Sequence, residues 1–110
     1  MNHSRWRLNR ERAIAEGGAE APGVEAMRTE IRLAFDLGQA VHDRRIELGI
    51  SQSELARRAN MTQPQISKLE LGGAVPTLRL LARLANALDA SLTIALDGDT
   101  SSVVFTAHAA

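Results

Sequence analysis

The feature that most constrains this chain is the stretch from Ser51 to Leu71, where start and stop signals for two short helices follow each other almost without a spacer. Ser51 stands where an N-cap belongs, with Glu54 three residues on, a capping-box spacing that opens a helix through Ala59 with Leu55 and Ala56 facing inward. Asn60 ends it, because asparagine tolerates the left-handed backbone that a tight turn requires. Thr62 is a second N-cap, and Pro64 falls in the first turn, where its missing N–H costs nothing. Ile66 and Leu69 form the inward stripe of a helix stopped by Gly72-Gly73. Two short helices joined by so tight a turn can pack only as a crossed pair, and neither buries enough apolar surface to stand alone.

The flanks supply the missing surface. From Val24, apolar residues recur at three- and four-residue steps (Met27, Ile31, Ala34, Phe35, Gly38, Val41), predicting a long amphipathic helix that continues through Ile46 and Leu48 to a stop at Gly49. After Pro76, with Thr77 as cap, a fourth helix buries Leu78, Leu81, Leu84, Ala85 and Leu88. The period then shortens to two: Leu92, Ile94 and Leu96 alternate with Thr93 and Ala95, turn residues run from Asp97 to Ser102, and Val103 to Thr106 follow. This predicts a β-hairpin, which is marginal alone and must either pack on the bundle or add its edge to a second copy, the expectation favoured here. The fold class is therefore mainly α, a compact helical bundle containing a helix-turn-helix, with a C-terminal β-hairpin. Residues 1–23 read as a flexible N-terminal arm, 24–90 as the helical domain and 91–110 as the hairpin and possible dimerisation element.

Composition removes several function classes. The chain has no cysteine, so a disulfide framework and a cysteine-based zinc site are both excluded, and a reducing cytoplasm is the expected compartment. His3, His42 and His108 fall on different predicted elements, which argues against a metal site, and Asp97 and Asp99 around Gly98 are explained by a hairpin turn. No glycine-rich phosphate loop, no nucleophile with a nearby base and no membrane-length apolar run is present. Neither an enzyme, nor a cofactor, nor a membrane association is expected. Formal net charge is zero, but residues 37–90 carry seven basic side chains against five acidic ones, a modest excess compatible with phosphate contacts from a dimer.

The second short helix carries the functional expectation. Thr62, Gln63, Gln65, Ser67 and Lys68 occupy the side away from Ile66 and Leu69. Glutamine can pair with adenine through two hydrogen bonds, lysine can donate to guanine, and serine serves base or phosphate, so the chemistry suits the major groove of double-stranded DNA. Arg44, Arg57, Arg58 and Arg79 are the candidates for phosphate contacts.

Arg45, Leu48-Gly49-Ile50-Ser51-Gln52-Ser53-Glu54-Leu55-Ala56, Met61-Thr62-Gln63-Pro64-Gln65-Ile66-Ser67-Lys68-Leu69-Glu70 and Pro76-Thr77-Leu78 together resemble the Cro/C1-type (XRE) helix-turn-helix family, a lambda-repressor-like fold. The resemblance implies that Gln52 contacts a phosphate, that Gln63, Gln65 and Lys68 read bases, and that Arg45 pairs with Glu70. One departure concerns the loop after the second short helix, Gly72-Gly73-Ala74-Val75, which lacks the basic residue often found there. The long first helix behind an arginine-bearing arm and the strand pair after the fourth helix are similar to antitoxins of the HigA type. That similarity implies a homodimeric repressor of its own operon that also neutralises a ribonuclease toxin of the RelE/HigB kind. The alternatives are a free-standing regulator of the same family, or the fold used solely for protein interaction. Trp6, in the arm, is a candidate anchor for a partner.

Overall fold

In the computed structural model, residues 22–98 and 100–109 are described. Among the described residues, four helices are followed by two strands: α1 (Pro22–Leu48), α2 (Gln52–Ala59), α3 (Gln63–Glu70), α4 (Leu78–Ala87), β1 (Ala90–Asp97) and β2 (Thr100–Ala107). The arm, with Trp6, lies outside the described residues.

The helix boundaries follow from local chemistry. Ser51, Thr62 and Thr77 each adopt extended backbone and accept a hydrogen bond from the amide three residues on, so α2, α3 and α4 all begin on the predicted caps. Helices α1, α2 and α3 end by one device, a left-handed residue (Gly49 φ 66, Asn60 φ 54, Gly72 φ 80). In each case the following amide reaches back to a carbonyl of the last turn: Ile50 to Arg45, Met61 to Ala56 and Gly73 to Lys68. The expected Ser51–Glu54 box is only half formed. Ser51 Oγ accepts the Glu54 amide, but the Glu54 carboxylate turns to Arg57 and Arg58 instead of reaching back. The complete box is on α3, where Gln65 Oε1 accepts the Thr62 amide at 2.8 Å and Thr62 Oγ1 accepts the Gln65 amide.

Leu37, Val41, Leu55, Ile66, Leu84 and Leu88 are fully buried and draw α1, α2, α3 and α4 into one core. Burial of this kind is the main favourable contribution to folding, and truncating any of these leucines would cost about 2–5 kcal/mol. The apolar stripe of α1 is buried only over its second half. Met27, Ile31 and Phe35 remain 47, 52 and 59% exposed, because the first turns of α1 extend past the bundle. Leu78 is likewise exposed at the start of α4, and Ile46 stands outside the core.

The hairpin pairs antiparallel from Ala90↔Ala107 to Asp97↔Thr100, so β2 begins earlier than expected and the turn is correspondingly tight. It packs on its own bundle. Leu92, Ile94, Val103 and Phe105, on one face, join the core against α1 and α4, and Ser101 Oγ donates to Asp36 of α1. Its opposite face, including Val104, stays exposed. No helix among the described residues is long and apolar enough to cross a membrane.

Candidate nucleic-acid interface

Helix α3 buries Ile66 and Leu69 and turns Gln63, Gln65 and Lys68 to solvent, with Thr62 exposed before it and Ser67 half-buried. Period 3.6 separates the two faces, and the Thr62 cap with Pro64 in the first turn fixes where the exposed face begins.

A chain of hydrogen bonds runs beneath the start of this face. Gln63 Nε2 donates to Gln52 Oε1 at 2.8 Å, and Gln52 Nε2 donates to Glu70 Oε1 at 3.3 Å. Glu70 Oε2 accepts Arg45 Nε at 2.7 Å, and Oε1 accepts Arg45 Nη2 at 3.0 Å, while Arg45 Nη1 donates to the Ile50 carbonyl. The first residue of α2, both ends of α3 and the last turns of α1 are thus locked together. The Arg45 and Glu70 side chains are 10 and 5% exposed, so this pair is shielded from solvent. Burial alone would raise the Glu70 carboxyl; hydrogen bonds from Arg45, His42 and Gln52, with the Arg45 charge, hold it below its ordinary value. The bond to Glu70 correspondingly raises the Arg45 guanidinium.

The geometry redistributes the expected roles. Gln63 keeps its Oε1 and one N–H uncommitted, the pair of groups that a two-bond contact with adenine uses. Gln65 does not, because its Oε1 is held by the Thr62 amide in the capping box. The residue expected to read a base is thus also a cap. Lys68 is exposed, with its stem against Gly73; a Cβ added at Gly73 would fall 2.6 Å from Lys68 Cγ. Arg57 and Arg58 both donate to Glu54, whose carboxyl they hold down to about 2. These pairs are exposed, so they break at little cost when a phosphate competes.

Arg44 is a correction. It was expected on the phosphate-contacting surface, but its guanidinium donates from Nε to the Leu88 carbonyl at 2.9 Å and from Nη2 to the Asp89 carbonyl at 3.1 Å, and the side chain is 11% exposed. It ties α1 to the end of α4, satisfying carbonyls that the helix terminus leaves without partners. Arg83 does the same for the end of α2, donating to the Ala59 and Asn60 carbonyls. The residue that sequence reasoning passed over is His42, whose Nδ1 lies 2.9 Å from Glu70 Oε1. The available signal was its i, i+3 spacing from Arg45, which places both on one face of α1.

Comparison with known proteins agrees with this fold. Residues 41–94 match the helix-turn-helix family. Over 95 residues, 86% of the chain, it is 35% identical to antitoxin HigA1 of Mycobacterium tuberculosis, and it spans 64% of that relative's length. It is 44% identical over 48 residues to an HTH-type transcriptional regulator of Methanothermobacter thermautotrophicus, covering 70% of it. Among solved structures, the restriction-modification controller protein C.AhdI from Aeromonas hydrophila (28% identity, 85% of its chain) and the clp gene regulator ClgR from C. glutamicum (32% identity, 72% of its chain) each superpose on 51% of this chain with a TM-score of 0.50. The chain belongs to the XRE-type helix-turn-helix family and is similar over most of its length to HigA1.

Proposed function

We propose that the protein is a cytoplasmic, sequence-specific repressor that binds its operator as a homodimer through α3, and that it is the antitoxin of a type II toxin–antitoxin pair. The observation that carries the DNA-reading role is the Glu70–Gln52–Gln63 chain, which holds a base-reading amide in one orientation before DNA arrives. In this reading Gln63 and Lys68 contact bases. The second N–H of Gln52, with Thr62, Ser67, Arg57 and the amide of Gln65, meets phosphates or base edges. Two copies would address half-sites roughly 34 Å apart. The test is a fluorescence-anisotropy titration against the chain's own upstream DNA and a scrambled duplex at two salt concentrations. Tight, salt-sensitive binding that prefers the upstream duplex is expected; equal weak binding to both would count against the operator role.

The antitoxin reading rests on the extent of the likeness to HigA1, which reaches well beyond the helix-turn-helix, and on the first half of α1. There Met27, Ile31 and Phe35 form an exposed apolar ridge at four-residue spacing, the pattern by which a helix engages a protein groove. Ile31→Asp is expected to abolish neutralisation of a RelE/HigB-type toxin encoded beside this gene while leaving operator binding intact. Neutralisation unchanged in that variant would move the toxin surface elsewhere. A gene with no toxin beside it would leave the free-standing regulator.

A further inference from the structure

His42 lies at the far end of the same hydrogen-bonded chain, and its ring has a definite state there. A carboxylate oxygen 2.9 Å from Nδ1 requires a proton on that nitrogen, since two lone pairs would otherwise face each other. Arg45 Nη2, 3.3 Å from the same Nδ1, is therefore a neighbour aimed at the shared carboxylate oxygen rather than a donor to the ring. With Nδ1 protonated, the remaining variable is Nε2, on a side chain 45% exposed to solvent.

Glu70 Oε1 is oversubscribed. It faces His42 Nδ1 at 2.9 Å, Arg45 Nη2 at 3.0 Å and Gln52 Nε2 at 3.3 Å, although a carboxylate oxygen offers about two acceptor sites. Glu70 Oε2 faces Arg45 Nε alone in this cluster. The weakest claim on Oε1 belongs to Gln52, the only uncharged competitor once the imidazole is charged. Charge-assisted hydrogen bonds are shorter and roughly twice as strong as neutral ones, so charging His42 strengthens its hold at the expense of Gln52. The charged groups in contact with the ring are Glu70 from α3 and Arg45 from its own helix; α2 presents only Gln52, and Asp43 turns away to accept from Gln39.

We infer that His42 is a positioning residue for base reading: through Glu70 and Gln52 it sets the orientation of Gln63, and its protonation loosens that orientation, making operator discrimination pH-dependent. The inference rests on the operator-reading role proposed above. An imidazole ring carries either one or two N–H protons. In its singly protonated form it leaves Gln52 a share of Oε1, and Gln63 is held. In its doubly protonated form Gln52 loses that share, its amide turns to water or phosphate, and Gln63 loses its acceptor. The added positive charge favours any DNA, so the signature is a falling ratio of operator to scrambled-duplex affinity, not falling affinity as such.

The experiment measures that ratio for the full chain at fixed ionic strength between about pH 5.5 and 8. It uses the wild type, His42→Gln, which has no charge to change, and His108→Gln, which removes the other described imidazole. The expected result is a ratio that falls about fivefold towards acid in the wild type, the equilibrium factor of one hydrogen bond. It falls likewise in His108→Gln and stays flat in His42→Gln, whatever its level. A flat wild-type profile, or a slope that survives in His42→Gln, overturns the inference. A chain with no operator preference at any pH instead defeats the operator role itself. For that case the side-chain amide resonances of Gln52 and Gln63 are followed by NMR without DNA. Their displacement with the His42 titration, absent in His42→Gln, supports the linkage, and amides that ignore it overturn it.

Discussion

Gln63 Nε2 donates to Gln52 Oε1 across 2.8 Å, joining the first residues of α3 and α2 although eleven positions separate them in the chain. The bond uses one of the two Gln63 N–H groups and leaves one N–H and the carbonyl oxygen uncommitted, the kinds of group that pair with N7 and N6 of adenine. Gln52 and Gln63 therefore act as one unit. Each alanine substitution is expected to cost about 1–3 kcal/mol of operator discrimination, and the double variant less than the two together, with a coupling of about 0.5–3 kcal/mol. A double-mutant cycle on operator and scrambled-duplex affinities measures this, and strict additivity would show that the two amides contact DNA independently.

Gln65 separates from Gln63 in kind. Because its Oε1 completes the capping box with Thr62, Gln65→Ala removes a bond to the Thr62 amide and is expected to lower folding stability by about 0.5–2 kcal/mol. Gln65→Glu retains an acceptor in the box and is expected to restore most of that loss. Chemical denaturation reads the stability, and the operator-to-scrambled ratio, measured in parallel, should change far less for Gln65→Ala than for Gln63→Ala.

What the sequence disclosed and what it withheld divide along the same line. Caps at Ser51, Thr62 and Thr77 and the left-handed stop at Asn60 were legible because each depends on three or four neighbouring residues. The same locality made the Arg45–Glu70 pair available only through family resemblance, since its partners are twenty-five positions apart. Arg44 was misread because its acceptors are carbonyls of Leu88 and Asp89, groups that every residue carries and no sequence pattern marks. Periodicity identified the apolar stripe of α1 but not what covers it, so it did not separate Met27, Ile31 and Phe35, which stand exposed, from the buried Val41. The hairpin was legible as a hairpin; that its inner face seals against α1 and α4 depends on side-chain volumes brought together only in the fold.

The Arg45–Glu70 pair has a pH consequence of definite sign. The Glu70 carboxyl lies below its ordinary value in the folded protein, so its ionised form stabilises the fold above the usual carboxylate range of about 4.3. That contribution is lost as pH falls below this range through the lower folded value. Glu70→Ala leaves Arg45 shielded without a partner and is expected to cost about 3–5 kcal/mol near neutrality. The difference in denaturation midpoint between wild type and Glu70→Gln should shrink as pH drops below about 4 and close once the pH is below the lower folded value, where both carry an uncharged side chain. A difference that persists unchanged into acid would mean that the pair's charge contributes nothing to stability.

Gly38 tests how closely α1 must approach the end of α3. Glycine inside a helix normally costs up to about 1 kcal/mol relative to alanine, so replacing it would ordinarily stabilise. Here an added Cβ would fall 2.5 Å from the Leu69 carbonyl oxygen and 2.8 Å from that of Glu70, backbone atoms that cannot swing aside. Gly38→Ala must therefore push the last turn of α3 away from α1, and the sign reverses to a loss of about 1–3 kcal/mol. The displaced turn carries Glu70, so operator discrimination should fall along with stability. Gly49 gives the contrast: a Cβ there meets nothing within 4 Å, and the strain is confined to its φ of 66°. Gly49→Ala is expected to cost about 1–2 kcal/mol of stability while the operator-to-scrambled ratio holds. Equal losses of discrimination in the two variants, at matched stability, would show that the α1–α3 approach does not govern DNA reading.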